Sequence, residues 1–325
     1  MRAATSVLVT GTSGFLGGAL GRHLRDLGYR VTGVSRRPAR PGAVDHQVRH
    51  DLLMPLPHDL ARHDVVVHAA ALASPWASPA AYQGHIVQAT RHVLDYAERT
   101  DAERFILIST TAVFYILGDQ FGITEDTPFP ATAVNGYAAA KREAETLVSR
   151  RRPESLIIRP RAIYGPGDTV LFPRVLRAAR KGLLPRIVRP DGRAAMADLV
   201  YIGNLVHAIE AALRLGLTGT VNVTDACPQD TYALLCDVLA RLGYRQPRFV
   251  LSLDAAMRLA TAAEWLSAHC FGWREPPLTR FGVSAVAHAK TFDVRRMLGS
   301  LGPPPFTPDQ GIAAFVAWQR AGAGP

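Results

Sequence analysis

Short runs of consecutive apolar residues punctuate the first half of the chain. Between them, apolar positions recur at helical spacing. Ser6-Val7-Leu8-Val9-Thr10, Val31–Val34, Val65-Val66-Val67-His68, Phe105-Ile106-Leu107-Ile108 and Leu156-Ile157-Ile158-Arg159 read as strands. Phe15–Leu27, stopped by Gly28, then Tyr82–Arg99 and Tyr137–Arg151, read as the intervening helices. A strand with one wet face alternates apolar and polar residues, whereas a strand covered on both faces is continuously apolar and rich in β-branched residues. These runs are of the second kind. The expected fold class is therefore α/β, with a doubly wound parallel sheet.

After about Pro166 this regularity weakens. Short elements are separated by Gly and Pro, as in Lys181–Leu184 and Gly299–Pro308. The expected division places the core in residues 1–165. Residues 166–325 form a smaller mixed region, with some strand and helix segments returning to the core. No internal repeat is visible, and Pro303-Pro304-Pro305 reads as a loop.

A chain of 325 residues, 48% hydrophobic and 20% charged, has globular composition and can bury a sizeable core. Its three cysteines (Cys227, Cys236, Cys270) are too few and too scattered for a disulfide framework or a CxxC zinc site. A reducing, cytoplasmic setting is the expectation. No secretory signal is read, because a glycine loop opens at Gly11 where such a signal is still apolar. The uncharged run Phe105–Gly118 is shorter than the roughly 20 residues a membrane span needs. The eleven histidines show no HExxH or other ligand spacing, so no metal is expected.

The formal charge of +10 comes almost wholly from arginine, since only Lys141, Lys181 and Lys290 are lysines. Such a balance suits anionic partners. The arginines are spread along the chain, however, and no basic groove interleaved with aromatics appears. Nucleic acid is therefore not an expected partner.

Four patterns carry chemistry. Gly11-Thr12-Ser13-Gly14-Phe15-Leu16-Gly17 lies between a strand and a helix. In that context the first glycine permits a tight turn, the second lets a pyrophosphate approach the backbone, and the third lets helix and strand pack closely. The phosphates then meet free amides at a helix N-terminus. Gly33-Val34-Ser35-Arg36-Arg37 ends the second strand without the acidic residue that an NAD site uses on its ribose. Arg36 offers instead a permanently charged donor fork suited to a 2′-phosphate. NADP(H) is therefore the preferred cofactor and NAD(H) the alternative. Tyr137-Ala138-Ala139-Ala140-Lys141 places Tyr and Lys on one helix face. An ammonium nearby favours the phenolate, so the pair is expected to exchange a proton with a substrate oxygen near neutral pH. Finally, Ser109-Thr110-Thr111 stands at the carboxyl end of a strand, where open α/β sheets bind ligands. Spacing alone does not choose among the three hydroxyls.

Together these residues resemble the extended short-chain dehydrogenase/reductase superfamily, of the NAD-dependent epimerase/dehydratase type. The resemblance also rests on Asp51-Leu52, His68-Ala69-Ala70, Tyr201-Ile202-Gly203-Asn204, and Arg159-Pro160-Arg161-Ala162-Ile163-Tyr164-Gly165-Pro166-Gly167-Asp168. It implies a Rossmann-type NADP-binding core over 1–165 and a mainly substrate-binding region over 166–325. It implies Tyr137 as acid/base, Lys141 as its activator and ribose contact, and, with Val113 in register, Thr110 as the hydroxyl partner. It puts Gly11, Gly14, Phe15, Leu16 and Gly17 at the pyrophosphate and Asp51 and Leu52 by the adenine. Ala69 and Ala70 would line the pyrophosphate and ribose path, with Pro160 and Ile163 at the nicotinamide.

Glu275–Val283 and Thr291-Phe292-Asp293 are similar to the 3β-hydroxysteroid dehydrogenase-like branch, which includes 2-alkyl-3-oxoalkanoate reductases. That branch implies an oxidoreductase interconverting a ketone and a secondary alcohol on a hydrophobic substrate, sterol-like, 3-oxoacyl or polyketide-like. The alternatives are a nucleotide-sugar 4-epimerase or reductase and a non-catalytic dinucleotide-binding sensor. Thr111-Ala112 stand where a dehydratase has its Asp-Glu pair, which argues against dehydration. Tyr115 stands where a glycine is common and is expected to reshape the pocket floor. Ile86, Ala89 and Gly203 are further departures from the pattern. A homodimer is a family-level expectation. The segment Asp254–Phe271 has three readings: a core helix, a lid over an apolar substrate, or a weak membrane-surface contact.

Overall fold

The computed structural model describes residues 5–322. One parallel sheet of seven strands runs in the order Gly219–Val223, Leu156–Pro160, Arg104–Ile108, Val65–His68, Ser6–Thr10, Arg30–Ser35, His46–Arg49. The five apolar runs are all in it. Alternate residues of each run go to opposite faces, which is why none of them alternates in polarity. Val7, Val9, Val67 and Ile108 pack beneath the helices Phe15–Asp26 and Ile202–Leu215. Leu8, Val66, Leu107 and Ile157 pack beneath Val93, Leu94 and Ala97 of the helix Ala89–Arg99 and beneath Val148 of the helix Gly136–Arg151. Each fully buried Leu or Val contributes roughly 1.5–3 kcal/mol of transfer free energy.

Two strands lacked a sequence signature. His46–Arg49 is an edge strand that no residue buries fully, so it stays polar. Gly219–Val223 forms the other edge, and its apolar run is interrupted by Asn222. The expected helix Tyr82–Arg99 starts at Pro79 and is continuous, but Gln83–Gln88 is wound as a π-helix before Ala89–Arg99 resumes the α form. Such widened turns are rare and frequent at functional sites.

Winding fixes the position of the site. From the central strand Ser6–Thr10 the chain moves outward to His46–Arg49, then returns to the opposite side at Val65–His68. The loops leaving Ser6–Thr10 and Val65–His68 therefore diverge, and a crevice opens between them at the carboxyl edge of the sheet.

Over that edge sits a second sheet of four strands, ordered Gln229–Asp230, Met196–Ala197, Lys290–Phe292 and Gln120–Ile123. The helix Leu253–Cys270 packs through Ala256, Ala260, Glu264 and Ser267, and its large apolar residues Leu259, Trp265 and Leu266 face outward. Its core face combines these small residues with the buried Glu264 and the partly buried Leu253 and Met257. Among the described residues no helix is long and apolar enough to cross a membrane. Cys227, Cys236 and Cys270 are free.

Candidate active site

The glycine loop is held by contacts that only glycine tolerates. Gly11 has φ +80°, and a Cβ there would lie 2.9 Å from the Ala70 Cα. A Cβ on Gly17 would lie 2.4 Å from the Gly11 carbonyl oxygen. Gly14 is the N-cap of Phe15–Asp26, and no side chain caps that helix. Its first-turn amides are thus open to an anion. Leu16 is buried in the core beneath the loop, and Phe15 packs against Gly167. The loop fits the pyrophosphate of a dinucleotide.

The facing wall is fixed by a buried network that the sequence motifs did not isolate. Thr10 Oγ1 accepts from the Ala69 and Ala70 amides at 3.1 and 3.0 Å and lies 2.8 Å from His68 Nδ1. His68 Nε2 meets Thr90 Oγ1 at 3.2 Å, and Thr90 donates to the Ile86 carbonyl. These roles fix the tautomer: Nε2 carries the proton, and Nδ1 accepts from Thr10. Burial pulls the His68 pKa down to about 3, and the Lys141 charge pushes the same way, so the ring is neutral. One hydroxyl therefore seats Ala69-Ala70 against Gly11.

Arg36 and Arg37 follow the strand Arg30–Ser35 and are exposed. Asp51 and Leu52 leave the neighbouring edge strand. The Asp51 carboxylate accepts from the Leu53 amide at 3.1 Å, and Leu52 is buried with its carbonyl 2.9 Å from His92 Nδ1.

The helix Gly136–Arg151 begins at Asn135, whose side chain accepts from the Ala138 amide at 2.9 Å. It sets Tyr137 and Lys141 at the end of the strand Arg104–Ile108. The Tyr137 hydroxyl is hydrogen-bonded to Thr110, at the first turn beyond that strand. The neighbouring hydroxyls are used elsewhere: Ser109 donates to the Glu145 carboxylate, and Thr111 donates to the Pro160 carbonyl at 3.4 Å. Of the three adjacent hydroxyls, Thr110 alone joins Tyr137. Pro160 ends the strand Leu156–Pro160 beside them, and Ile163 follows in a short pairing with Val200.

One electrostatic expectation requires correction. Lys141 was expected to lower the Tyr137 pKa. Burial instead pushes the phenol up to about 12, offset in part by the Thr110 bond. The buried Lys141 ammonium is spent on the Ile108 carbonyl at 2.8 Å, and desolvation brings its own pKa down to about 8. Nearness along a helix face does not aim the charge at the oxygen.

Two further arrangements had no sequence signal. Beneath Lys141, Arg159 binds Glu145 through Nε–Oε1 at 3.0 Å and Nη2–Oε2 at 2.7 Å, both side chains being buried. Above the crevice, the segment after Ala70 is tied to the C-terminal region. Trp76 Nε1 donates to Ser267 at 2.8 Å, Trp76 packs on Trp273 at 5.3 Å, and Arg174 clamps Glu275, which also accepts from Ser74.

The model of the NAD dependent epimerase/dehydratase family matches residues 7–224. The chain belongs to that family. It is an NAD(P)-dependent oxidoreductase of the extended short-chain dehydrogenase/reductase type. It is 32% identical over 298 residues to a 2-alkyl-3-oxoalkanoate reductase of Stenotrophomonas maltophilia, covering 85% of this chain and 87% of the relative. It is 26% identical to a decarboxylating sterol-4-alpha-carboxylate 3-dehydrogenase of Saccharomyces cerevisiae, covering 98% of both. The solved structure of MoeE5 in complex with UDP-glucose and NAD superposes with a TM-score of 0.75 at 23% identity, over 98% of this chain and 99% of that one, a likeness of fold.

Proposed function

We propose that this family member interconverts a ketone and a secondary alcohol on a hydrophobic small molecule, with NADP(H) as its preferred cofactor. When bound, the dinucleotide supplies or accepts the hydride. Tyr137 gives the proton to the carbonyl oxygen in reduction and takes it back in oxidation. Thr110 orients that oxygen. Lys141 lies where the ribose of a dinucleotide on the glycine loop would reach it. Arg36 receives the 2′-phosphate. Asp51 and Leu52 flank the adenine, Ala69 and Ala70 the ribose path, and Pro160 and Ile163 the nicotinamide. Residues 166–325, apart from the segments in the large sheet, supply most of the substrate wall. Three free cysteines suit a cytoplasmic setting.

The observation that carries this reading is the Tyr137–Thr110 hydrogen bond at the carboxyl edge of the sheet, beside an uncapped helix N-terminus. The names of the curated relatives support a hydrophobic substrate reacting at C3. The test combines cofactor titration with turnover. Tyr137→Phe should lose about 100-fold or more in turnover, within the usual range for a general acid/base, with NADPH binding nearly unchanged. Arg36→Ala should weaken NADPH far more than NADH. Unchanged turnover in the first variant removes Tyr137 from the chemistry. Equal weakening in the second removes the 2′-phosphate assignment.

A further inference from the structure

The helix Leu253–Cys270 is turned the wrong way for one that faces water. An ordinary surface helix lays its large apolar residues on the core. Here the buried positions are Ala256, Ala260, Glu264 and Ser267. Leu259, Trp265 and Leu266 are 54%, 58% and 44% exposed, and Phe271, just beyond the helix, is 63% exposed. Leu259, Ala262 and Leu266 recur at helical spacing with Trp265 beside them, so these side chains share one face. Apolar residues scattered over a surface are ordinary, whereas a contiguous patch marks a binding face.

The patch is firmly built. His269 Nδ1 donates to the Trp265 carbonyl at 2.8 Å, and its ring stacks on the indole at 4.8 Å. Gly272 and Trp273 then take left-handed backbone angles, φ +57° and +64°, a conformation uncommon for tryptophan. The turn leaves Phe271 outside and brings Trp273 onto Trp76, which is itself tied to Ser267. The patch therefore adjoins the segment above the crevice. Ala71, Leu72 and Ala77 of that segment pack on the cluster of Tyr82 and Ile86, as Tyr137 does. Apolar side chains thus lead from Tyr137 towards the patch.

The charges select the occupant. Arg258 and His269 lie on the same face, and Arg274 follows Phe271, all three exposed. The acids are placed elsewhere. Glu264 is buried against Arg280, Glu275 is clamped by Arg174, and Asp254 stands in the first turn, before the patch begins. Trp, Leu and Phe with a basic flank are the composition of a helix that lies in the headgroup layer of an anionic bilayer. A second copy docked face to face would set these cations against themselves. With Glu264 held against the protein, the helix rests on a bilayer rather than crossing it.

We propose that this face, centred on Trp265 and Leu266, docks the enzyme onto an anionic phospholipid surface, with the mouth of the crevice beside the headgroups. The docking follows from the patch and its charges. Its use, passage of an apolar ketone or alcohol between the lipid and Tyr137, rests on the reductase reading above.

The test mixes the full chain, without substrate, with vesicles of phosphatidylcholine alone or of phosphatidylcholine and phosphatidylglycerol. Cosedimentation should favour the anionic vesicles by about tenfold or more, and added salt should narrow the difference. The double variant Trp265→Glu, Leu266→Glu should bind them about tenfold more weakly or worse, with an unchanged far-UV circular dichroism spectrum. Trp265→Phe should still bind. Brominated lipids, which quench an indole at acyl-chain depth, should quench the wild type and far less this variant. Failure to bind anionic vesicles, or binding that survives the double replacement, overturns the proposal. Binding without quenching that depends on Trp265 overturns it too, because another surface then meets the lipid. A dimer in sedimentation that Trp265→Glu dissociates overturns it in favour of a second copy. No substrate is present, so each of these outcomes leaves the reductase reading to its own test.

Discussion

The Thr10 hydroxyl offers a sharp test of how the fold builds the crevice. Thr10→Val keeps the shape of a fully buried side chain and removes its only polar atom. That atom accepts from the Ala69 and Ala70 amides and donates to His68. A typical internal hydrogen bond contributes about 1 kcal/mol, and a buried donor left without an acceptor costs about 1–3 kcal/mol. The two amides lie in a partly open crevice, so water can soften their loss. His68 is fully enclosed and keeps its bond to Thr90. The three terms sum to about 3 kcal/mol. Urea unfolding should show that loss through a lower midpoint at unchanged slope. Because Ala70 abuts Gly11 so closely, the same change should weaken dinucleotide binding about tenfold. Thr10→Ser retains the hydroxyl and should recover most of the cofactor affinity. A Thr10→Val protein within about 0.5 kcal/mol of wild type, with unaltered affinity, would refute the claim that this hydroxyl seats the crevice wall.

Two further outcomes follow from the electrostatics. With its pKa pushed up to about 12, Tyr137 is a protonated donor at neutral pH. Ketone reduction should therefore stay flat with pH through and above neutrality, while alcohol oxidation, which needs the phenolate, should climb steadily across the same range; matched pH–rate profiles that both fall with rising pH would contradict this. Glu145→Gln leaves the buried Arg159 guanidinium without its carboxylate and should cost about 3–5 kcal/mol in urea unfolding. A Glu145→Leu, Arg159→Met pair should recover much of it, and a single variant as stable as wild type would show that the pair contributes little.

How much of this was written in the sequence depends on which force fixes each part. Ser6–Thr10 and Val65–His68 are legible because burial on both faces demands consecutive apolar residues. His46–Arg49 is not legible, because an edge strand is held by backbone bonds that carry no composition. The glycine spacing is legible for a steric reason: each Cβ would strike a named backbone atom. The direction of a charge is another matter. Tyr137 and Lys141 share a helix face, yet the ammonium turns to the Ile108 carbonyl, and burial decides the phenol's titration. Neither fact is visible without knowing what lies above the helix. Arg161 shows the same limit from the other side. In the sequence it is one arginine among many, sitting inside a motif noticed for its prolines and glycines. Only the packing of Tyr115, Phe281 and Lys290, drawn from distant stretches of chain, buries it against an aromatic ring shared with a second cation. Periodicity reports what a residue is buried for; the partners that long-range packing assigns or withholds decide what it can bind.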